Sequence, residues 1–218
     1  MTEETESLAG TQTRAVIQDL DAIYESIETA QSAWKAASPF SCPEGCGSCC
    51  VDFEPDLLES EALYLAAWMI YHQEEKADAI LNGSFISPRT RSTAGVKGSG
   101  CFLFDPDSPY HCTVYGGRAL ICRLFGHSGD RGKDGRKRWK PCRFLPTGTK
   151  DAGHQFEEDE LLERFGHSPP VMSDFTSGAQ SLMPDRIQER LPLSEALRDA
   201  IAKIRMLQRF VIYLPATQ

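Results

Sequence analysis

Four cysteines fall within nine residues of this chain, at positions 42, 46, 49 and 50. Two intervening residues allow a tight turn to aim the sulfurs of Cys46 and Cys49 at one soft metal ion. Gly47 permits that turn, and backbone amides freed in it can donate hydrogen bonds to thiolates. The segment therefore predicts a metal centre held by thiolates.

Cys49 and Cys50 are neighbours in the sequence, and the side chains of neighbouring residues tend to diverge. We therefore expect the two thiols to serve different ions, or one of them not to be a ligand. This spacing favours a shared or compound centre over a plain zinc finger. The candidate metal ligands are all eight cysteines: Cys42, Cys46, Cys49, Cys50, Cys101, Cys112, Cys122 and Cys142. Eight thiols could form two four-coordinate sites, one binuclear centre, or one cluster with spare cysteines.

The compartment in which the chain resides decides how its cysteines are interpreted. The amino terminus is acidic and no apolar stretch follows it, so it lacks both parts of a secretory signal. The longest apolar run, Ala62 to Tyr71, has ten residues, whereas about 20 are needed to span a bilayer. We therefore expect a cytoplasmic protein without a membrane partner. In a reducing compartment, thiolate ligands are favoured over disulfides and inert buried thiols.

The charge of the chain constrains its partners. It carries 23 Lys and Arg against 31 Asp and Glu, a net charge of −8, which opposes general attraction to nucleic acid. One basic segment, residues 131–143, places Trp139 among seven Lys and Arg and could form a stacking surface for single-stranded nucleic acid. We favour a solvated loop, and expect no nucleic-acid partner. An unidentified protein partner stays open.

Thiolate centres carry negative charge that the protein must offset. Four thiolates around one Zn²⁺, or around a four-iron cluster of formal charge +2, leave a charge of about −2. Four cations flank the later cysteines and are expected to offset it: Arg118, Arg123, Lys140 and Arg143. For His111 and His127, a place on the surface or beside the centre is favoured over direct ligation.

Hydrophobic periodicity predicts three amphipathic helices. The first spans about residues 13–36 and ends before Pro39. The second has Pro55 in its first turn, and its buried stripe is Leu58, Ala62, Leu65 and Met69. The third can pack against the first two through Leu197, Ile201, Ile204, Leu207 and Val211. A short acidic helix is expected over residues 155–165, ended by Gly166.

Irregular structure is predicted between these helices. Residues 82–100 have the composition of a long exposed connection, and residues 101–124 favour turns and at most short strands. We therefore expect a single domain over residues 1–218 that is mainly α, with amphipathic helices flanking an irregular cysteine-rich metal-binding centre. Residues 42–142 form its metal-chelating region, and residues 1–12 are expected to be disordered.

The cysteine pattern resembles that of the YkgJ-type cysteine-cluster family, a zinc- or iron-chelating domain named for a Cys-x-x-Cys-x-x-Cys-Cys motif. Residues 46–50, Cys-Gly-Ser-Cys-Cys, match the latter half of the motif, whereas three residues separate Cys42 from Cys46 where the motif has two. The segments Cys101-Phe-Leu, Cys112-Thr-Val-Tyr and Cys122-Arg-Leu-Phe are similar to the downstream signature of the family. The resemblance covers residues 42–142.

The resemblance implies metal chelation, by an iron–sulfur cluster or by Zn²⁺, without a settled activity. An all-thiolate ligand set with adjacent cysteines favours iron. In one hypothesis, an iron–sulfur cluster transfers electrons or supports an enzyme. In the other, zinc is structural and the chain is a protein-interaction adaptor. The sequence identifies no catalytic residue and no glycine-rich nucleotide-binding unit, so whether the chain is an enzyme stays open.

Overall fold

The computed structural model describes residues 1–91, 100–144, 151, 153–186 and 189–213. Seven α-helices lie in that part of the chain: α1 (Gln12–Ala37), α2 (Glu59–His72), α3 (Glu74–Leu81), α4 (Leu120–Leu124), α5 (Glu158–Phe165), α6 (Met172–Ser181) and α7 (Leu193–Tyr213). Its five strands have two or three residues each: β1 (Asp56–Leu57), β2 (Asp130–Arg131), β3 (Lys137–Trp139), β4 (Phe156–Glu157) and β5 (Leu191–Pro192). The fold is mainly α with only short strands, which confirms the predicted class.

The two long helices form where the periodicity predicts them. At the start of α1, the Thr11 hydroxyl accepts a hydrogen bond from the backbone N–H of Arg14 at 3.2 Å. The helix ends at Ala37, because Ser38 is extended before Pro39. In α7 the predicted apolar face is buried at Leu197, Ile201 and Ile204. The side chain of Val211 lies outside the described part of the chain.

The central helix α2 packs against α1, α3 and α7. All four residues of its predicted stripe are buried, and so are most of their neighbours. Pro55 does not lie in its first turn, because the chain first forms β1, which pairs antiparallel with β5. The Pro55 carbonyl accepts from the N–H of Leu193 at 3.0 Å. In the described part of the chain, no helix combines the length and apolar character of a membrane span.

Several segments differ from their predictions. α3 and α6 are not among the predicted helices, and a 3₁₀ turn (Pro88–Arg91) interrupts the predicted connection, of which residues 92–99 lie outside the description. α5 begins three residues late, because β4 pairs with β3, and it ends at Gly166, whose φ is 68°. Residues 1–12, predicted to be disordered, include a 3₁₀ turn (Glu6–Leu8) that packs on α7 with Leu8 fully buried.

The buried side chains form two cores. The main core lies between α1, α2, α3 and α7, and it extends to the cysteine-bearing segments. The second, which we call the aromatic core, contains Trp34, Phe40, Trp139, Phe156 and Leu161, with Phe165 packed against it. The rings of Phe40 and Trp139 meet edge to face, with centroids 4.7 Å apart. Both cores border the region into which the cysteines project.

Candidate metal centre

Seven of the eight cysteines line one cavity of about 390 Å³. They are Cys42, Cys46, Cys49, Cys50, Cys101, Cys112 and Cys122. The eighth, Cys142, lies close enough to Cys42 and Cys46 for their charges to interact. The fold therefore brings together thiols that span residues 42–142, although whether each is a ligand stays a prediction.

Backbone contacts position the cysteines that follow the first loop. The N–H of Cys101 donates to the carbonyl of Cys50 at 3.1 Å. Cys112 forms an isolated antiparallel bridge with Phe104, and the N–H of Phe104 donates to the carbonyl of Cys101 at 3.0 Å. Cys122 is carried by α4. These contacts join the segments of Cys50, Cys101 and Cys112 through main-chain atoms.

A buried carboxylate fixes the helix that carries Cys122. Glu61 is 2% exposed and accepts from the N–H groups of Leu58 at 3.0 Å and Leu120 at 2.8 Å. It therefore caps the first turns of both α2 and α4. Burial raises the pKa of Glu61, although both N–H groups favour its charged form. Glu61 was not predicted from the sequence, in which its only signal is a carboxylate at the edge of a long apolar run.

We predict that Glu61→Gln destabilises the fold by about 1–3 kcal/mol, because the new amide N–H₂ opposes one of the two N–H donors. Urea unfolding of the purified variant measures the change in free energy. Glu75→Gln, an exposed carboxylate in the first turn of α3, is the matched control and should change stability by less than about 0.5 kcal/mol. Equal, small effects of both substitutions would show that Glu61 does not fix α4.

The first cysteine loop is shaped by close packing. Gly47 has a φ of −124°, so the turn does not require a left-handed residue there. A Cβ at this position would lie 2.4 Å from the Cβ of His111, and only glycine allows that approach. The aromatic core holds the two ends of the site, because Phe40 precedes Cys42 by two residues and Trp139 precedes Cys142 by three.

Cys49 and Cys50 converge where we expect divergence. Their sulfurs lie 3.8 Å apart at the end of a 3₁₀ turn, Ser48–Cys50. Two thiolates on one tetrahedral Zn²⁺, each about 2.3 Å from the metal, lie about 3.8 Å apart. The directions of the two side chains therefore allow both Cys49 and Cys50 to bind metal.

Burial keeps most of these thiols protonated in the metal-free protein. It raises the pKa of Cys101 to about 12, and it also raises the pKa of Cys42, Cys112, Cys122 and Cys142. A hydrogen bond from the Cys50 thiol lowers the pKa of Cys49 to about 7. A metal must therefore displace protons to bind, so affinity rises with pH.

His127 lies beside the first cysteine rather than on the surface. It is 7% exposed, and its Nε2 is 3.5 Å from the Sγ of Cys42. Its Nδ1 is buried without a partner. Burial lowers the pKa of His127 to about 4, so the ring is neutral at pH 7 and Nε2 can donate to the thiolate. His111 stacks on Phe104 with ring centroids 5.6 Å apart.

The cations near the cysteines have different roles. Arg118 lies within electrostatic range of Cys49 and Cys112, and Arg143 within range of Cys142. Arg123 does not offset the thiolates as expected: it is 5% exposed and binds the carboxylate of Glu28 at 2.7 Å. Its remaining N–H groups donate to carbonyls of the segment between Cys112 and Cys122. It therefore supports the backbone around the site.

Exposed aromatic residues line the mouth of the cavity. They are Phe53, Tyr110, Tyr115 and Phe125, each between 36% and 43% exposed. Tyr110 and Tyr115 stack with centroids 4.5 Å apart, and the Arg118 guanidinium lies 3.8 Å from the Tyr115 ring centroid. Tyr110 and His111 have φ values of 56° and 53°, a strained conformation for residues other than glycine.

Carboxylates neutralise part of the basic segment. Four of its side chains form ion pairs: Arg131 with Asp174, Arg136 with Asp159, Lys137 with Glu158, and Arg138 with Glu157. Trp139 is buried in the aromatic core and offers no ring to a base. The absence of a nucleic-acid partner stays a prediction, and this geometry agrees with it.

The donor set suits a soft metal, because thiolates are the ligands preferred by zinc and by iron–sulfur clusters. Among the described side chains, however, no three from His, Cys, Asp and Glu are grouped closely enough to hold a single ion as they stand. The thiols surround a space instead of converging on a point.

Comparison with known families decides the class of this chain. A family model described as "CxxCxxCC: Putative zinc- or iron-chelating domain" matches residues 41–151, just over half of the chain. The chain belongs to this family. The description gives chelation of zinc or iron as the function of the CxxCxxCC domain, in agreement with the thiol-lined cavity. The curated proteins contain no significant match to the chain, and neither do the solved structures.

Proposed function

We propose that this CxxCxxCC protein holds an iron–sulfur cluster in the thiol-lined cavity. We propose further that this cluster exchanges electrons or supports an enzyme. The observation that carries the proposal is the distribution of the thiols. Seven of them line about 390 Å³ without three converging on a point. A polynuclear core of iron and sulfide is wider than a single ion and is held by thiolates that surround it.

The surroundings of the cavity support a redox role. Its mouth carries exposed aromatic rings that a partner protein could cover, and aromatic residues are enriched at such interfaces. Arg118 and the neutral His127 lie beside thiols and can lower their negative charge or donate to them. Hydrogen bonds to cluster sulfurs and nearby charges both tune reduction potential.

A structural zinc site is the second candidate, and one distance favours it. The 3.8 Å separation between the sulfurs of Cys49 and Cys50 equals the ligand–ligand distance at a tetrahedral zinc ion, about 3.8 Å. In this case the metal orders the cysteine loop and the chain acts as an adaptor for a protein partner. The two candidates differ in colour and in redox activity, because Zn²⁺ has a filled d shell.

Visible absorption of protein purified without oxygen tests the proposal. We expect a coloured sample that contains iron and sulfide in equal amounts, and we expect dithionite to bleach it by reducing ferric to ferrous iron. Cys49→Ser should reduce the colour and the iron content, whereas Ser48→Ala, which changes the same turn without removing a thiol, should preserve both. A colourless sample containing zinc would establish the second candidate, and a sample without either metal would overturn both.

A further inference from the structure

We propose that the eight cysteines form two metal positions that adjoin at Cys49 and Cys50. The inner quartet is Cys50, Cys101, Cys112 and Cys122, and the outer quartet is Cys42, Cys46, Cys49 and Cys142. This inference deepens the proposed function and rests on it. It selects two four-thiol sites from the three arrangements that the sequence leaves open.

Only the inner quartet is packed into the main core. Cys101 is part of the main core, and the other three inner cysteines pack against it. The four outer cysteines, all of them in the described part of the chain, lie outside that core. Two of the outer four are instead fixed by the aromatic core, through Phe40 and Trp139. The molecule therefore supports the two groups by separate sets of packed side chains.

Main-chain contacts join three of the four inner cysteines. Cys50 and Cys101 share a hydrogen bond of 3.1 Å, and Cys101 is tied to Cys112 through Phe104. Cys122 is brought to the group by α4, which Glu61 caps. Cys122 also lies within electrostatic range of Cys101 and Cys112, and of the outer Cys49, where the two quartets adjoin. These four thiols are consequently positioned as one group.

One turn lies against both ends of the outer quartet. A Cβ on Gly126 would lie 3.4 Å from the Cβ of Cys142, and the next residue, His127, places Nε2 3.5 Å from the sulfur of Cys42. Cys142 also lies within electrostatic range of Cys46 and Cys49. The turn thus brings together cysteines that are 100 positions apart in the chain.

Positive charge is present at both positions, as two thiolate centres require. Lys35 lies near Cys42 and Arg143 near Cys142, on the outer side. Lys76 lies near Cys112 on the inner side. Arg118 interacts with Cys49 and with Cys112, so it can offset charge on both centres.

Metal content per chain tests the partition. We compare the native protein, purified without oxygen, with Cys46→Ser (outer), Cys112→Ser (inner) and the double variant. Each single variant should keep about half of the native metal, a twofold fall, and the double variant should keep almost none. Complete loss in both single variants would show one shared centre, and no loss in one of them would show a spare cysteine; either result overturns the partition.

Removal of metal from the unmodified protein by a chelator tests the same partition without a substitution that could prevent folding. The outer quartet contains the exposed Cys42, whereas the inner quartet contains the buried Cys101. We therefore expect a chelator to remove metal in two kinetic phases of equal amplitude, the outer one faster. A single phase would overturn the partition. Native protein that contains no iron would overturn the proposed function. If such protein released zinc in two equal phases, the partition into two metal positions would still hold.

Discussion

Removal of the metal should lower the thermal unfolding midpoint of this protein by about 20 °C, because binding to a thiolate site contributes folding free energy directly. The segments that carry the cysteines have little regular structure of their own. Apart from α4, their described helices are 3₁₀ turns of three residues, Ser48–Cys50, Pro109–His111 and Tyr115–Gly117. Cross-linking by metal is therefore expected to supply much of the stability of this region.

Circular dichroism during heating measures the shift before and after treatment with a chelator under anaerobic conditions. Chelator already saturated with the same metal is the control and should leave the midpoint unchanged. Return of the metal should restore the native midpoint, because the main and aromatic cores keep the segments close together. A midpoint that stays within a few degrees of the native value after complete metal loss would show that the cores alone hold the cysteine region.

Arg123→Met should destabilise the protein by about 2–4 kcal/mol, because three charge-assisted hydrogen bonds of one buried guanidinium are lost together. The Arg123 guanidinium donates to the carbonyls of Gly116 and Arg118 at 2.7 and 2.9 Å, and to Glu28 at 2.7 Å. It also lies 4.1 Å from the ring centroid of Tyr24. Its loss leaves both carbonyls without this donor.

The consequence reaches the metal centre, because the carbonyls held by Arg123 lie between Cys112 and Cys122. We therefore expect Arg123→Met to lower metal content as well as stability, measured by urea unfolding and by elemental analysis of the same sample. Arg123→Lys should recover only part of both, since an ammonium lacks the planar fork of the guanidinium. Arg205→Met is the control, because Arg205 pairs with the exposed carboxylates of Glu74 and Asp78 and should cost less than about 1 kcal/mol. Equal costs at the two positions would contradict this account.

The periodic spacing of hydrophobic residues was sufficient to predict the long helices, because α1 and α7 each bury one regular face. It was insufficient for α6, whose sequence contains Gly178 and several Ser and Thr residues and which is helical where it packs on α1. It also failed at Pro55, where pairing with β5 overrides the local preference for a helix start. Two-residue strands depend on partners distant in the chain, and no periodicity can reveal them.

The sequence identified the candidate thiols as a set but not their arrangement. The spacing of Cys46, Cys49 and Cys50 indicates a metal loop, whereas the approach of the Cys49 and Cys50 sulfurs to 3.8 Å is visible only in the structure. The supporting residues Glu61, Arg123 and His127 act over sequence separations of 59, 95 and 85 residues. Such contacts are products of the tertiary fold, and a single sequence contains no signal for them.

X-ray absorption at the iron and zinc edges of protein purified without oxygen tests the central claim most directly, because it reports the atoms bound to each metal. The account predicts bound metal whose first shell contains sulfur alone, at about 2.3 Å. If the metal is an iron–sulfur cluster, a second shell of neighbouring iron atoms should also be visible. A first shell of nitrogen and oxygen would contradict the assignment of the cysteines as ligands, and so would the absence of both metals.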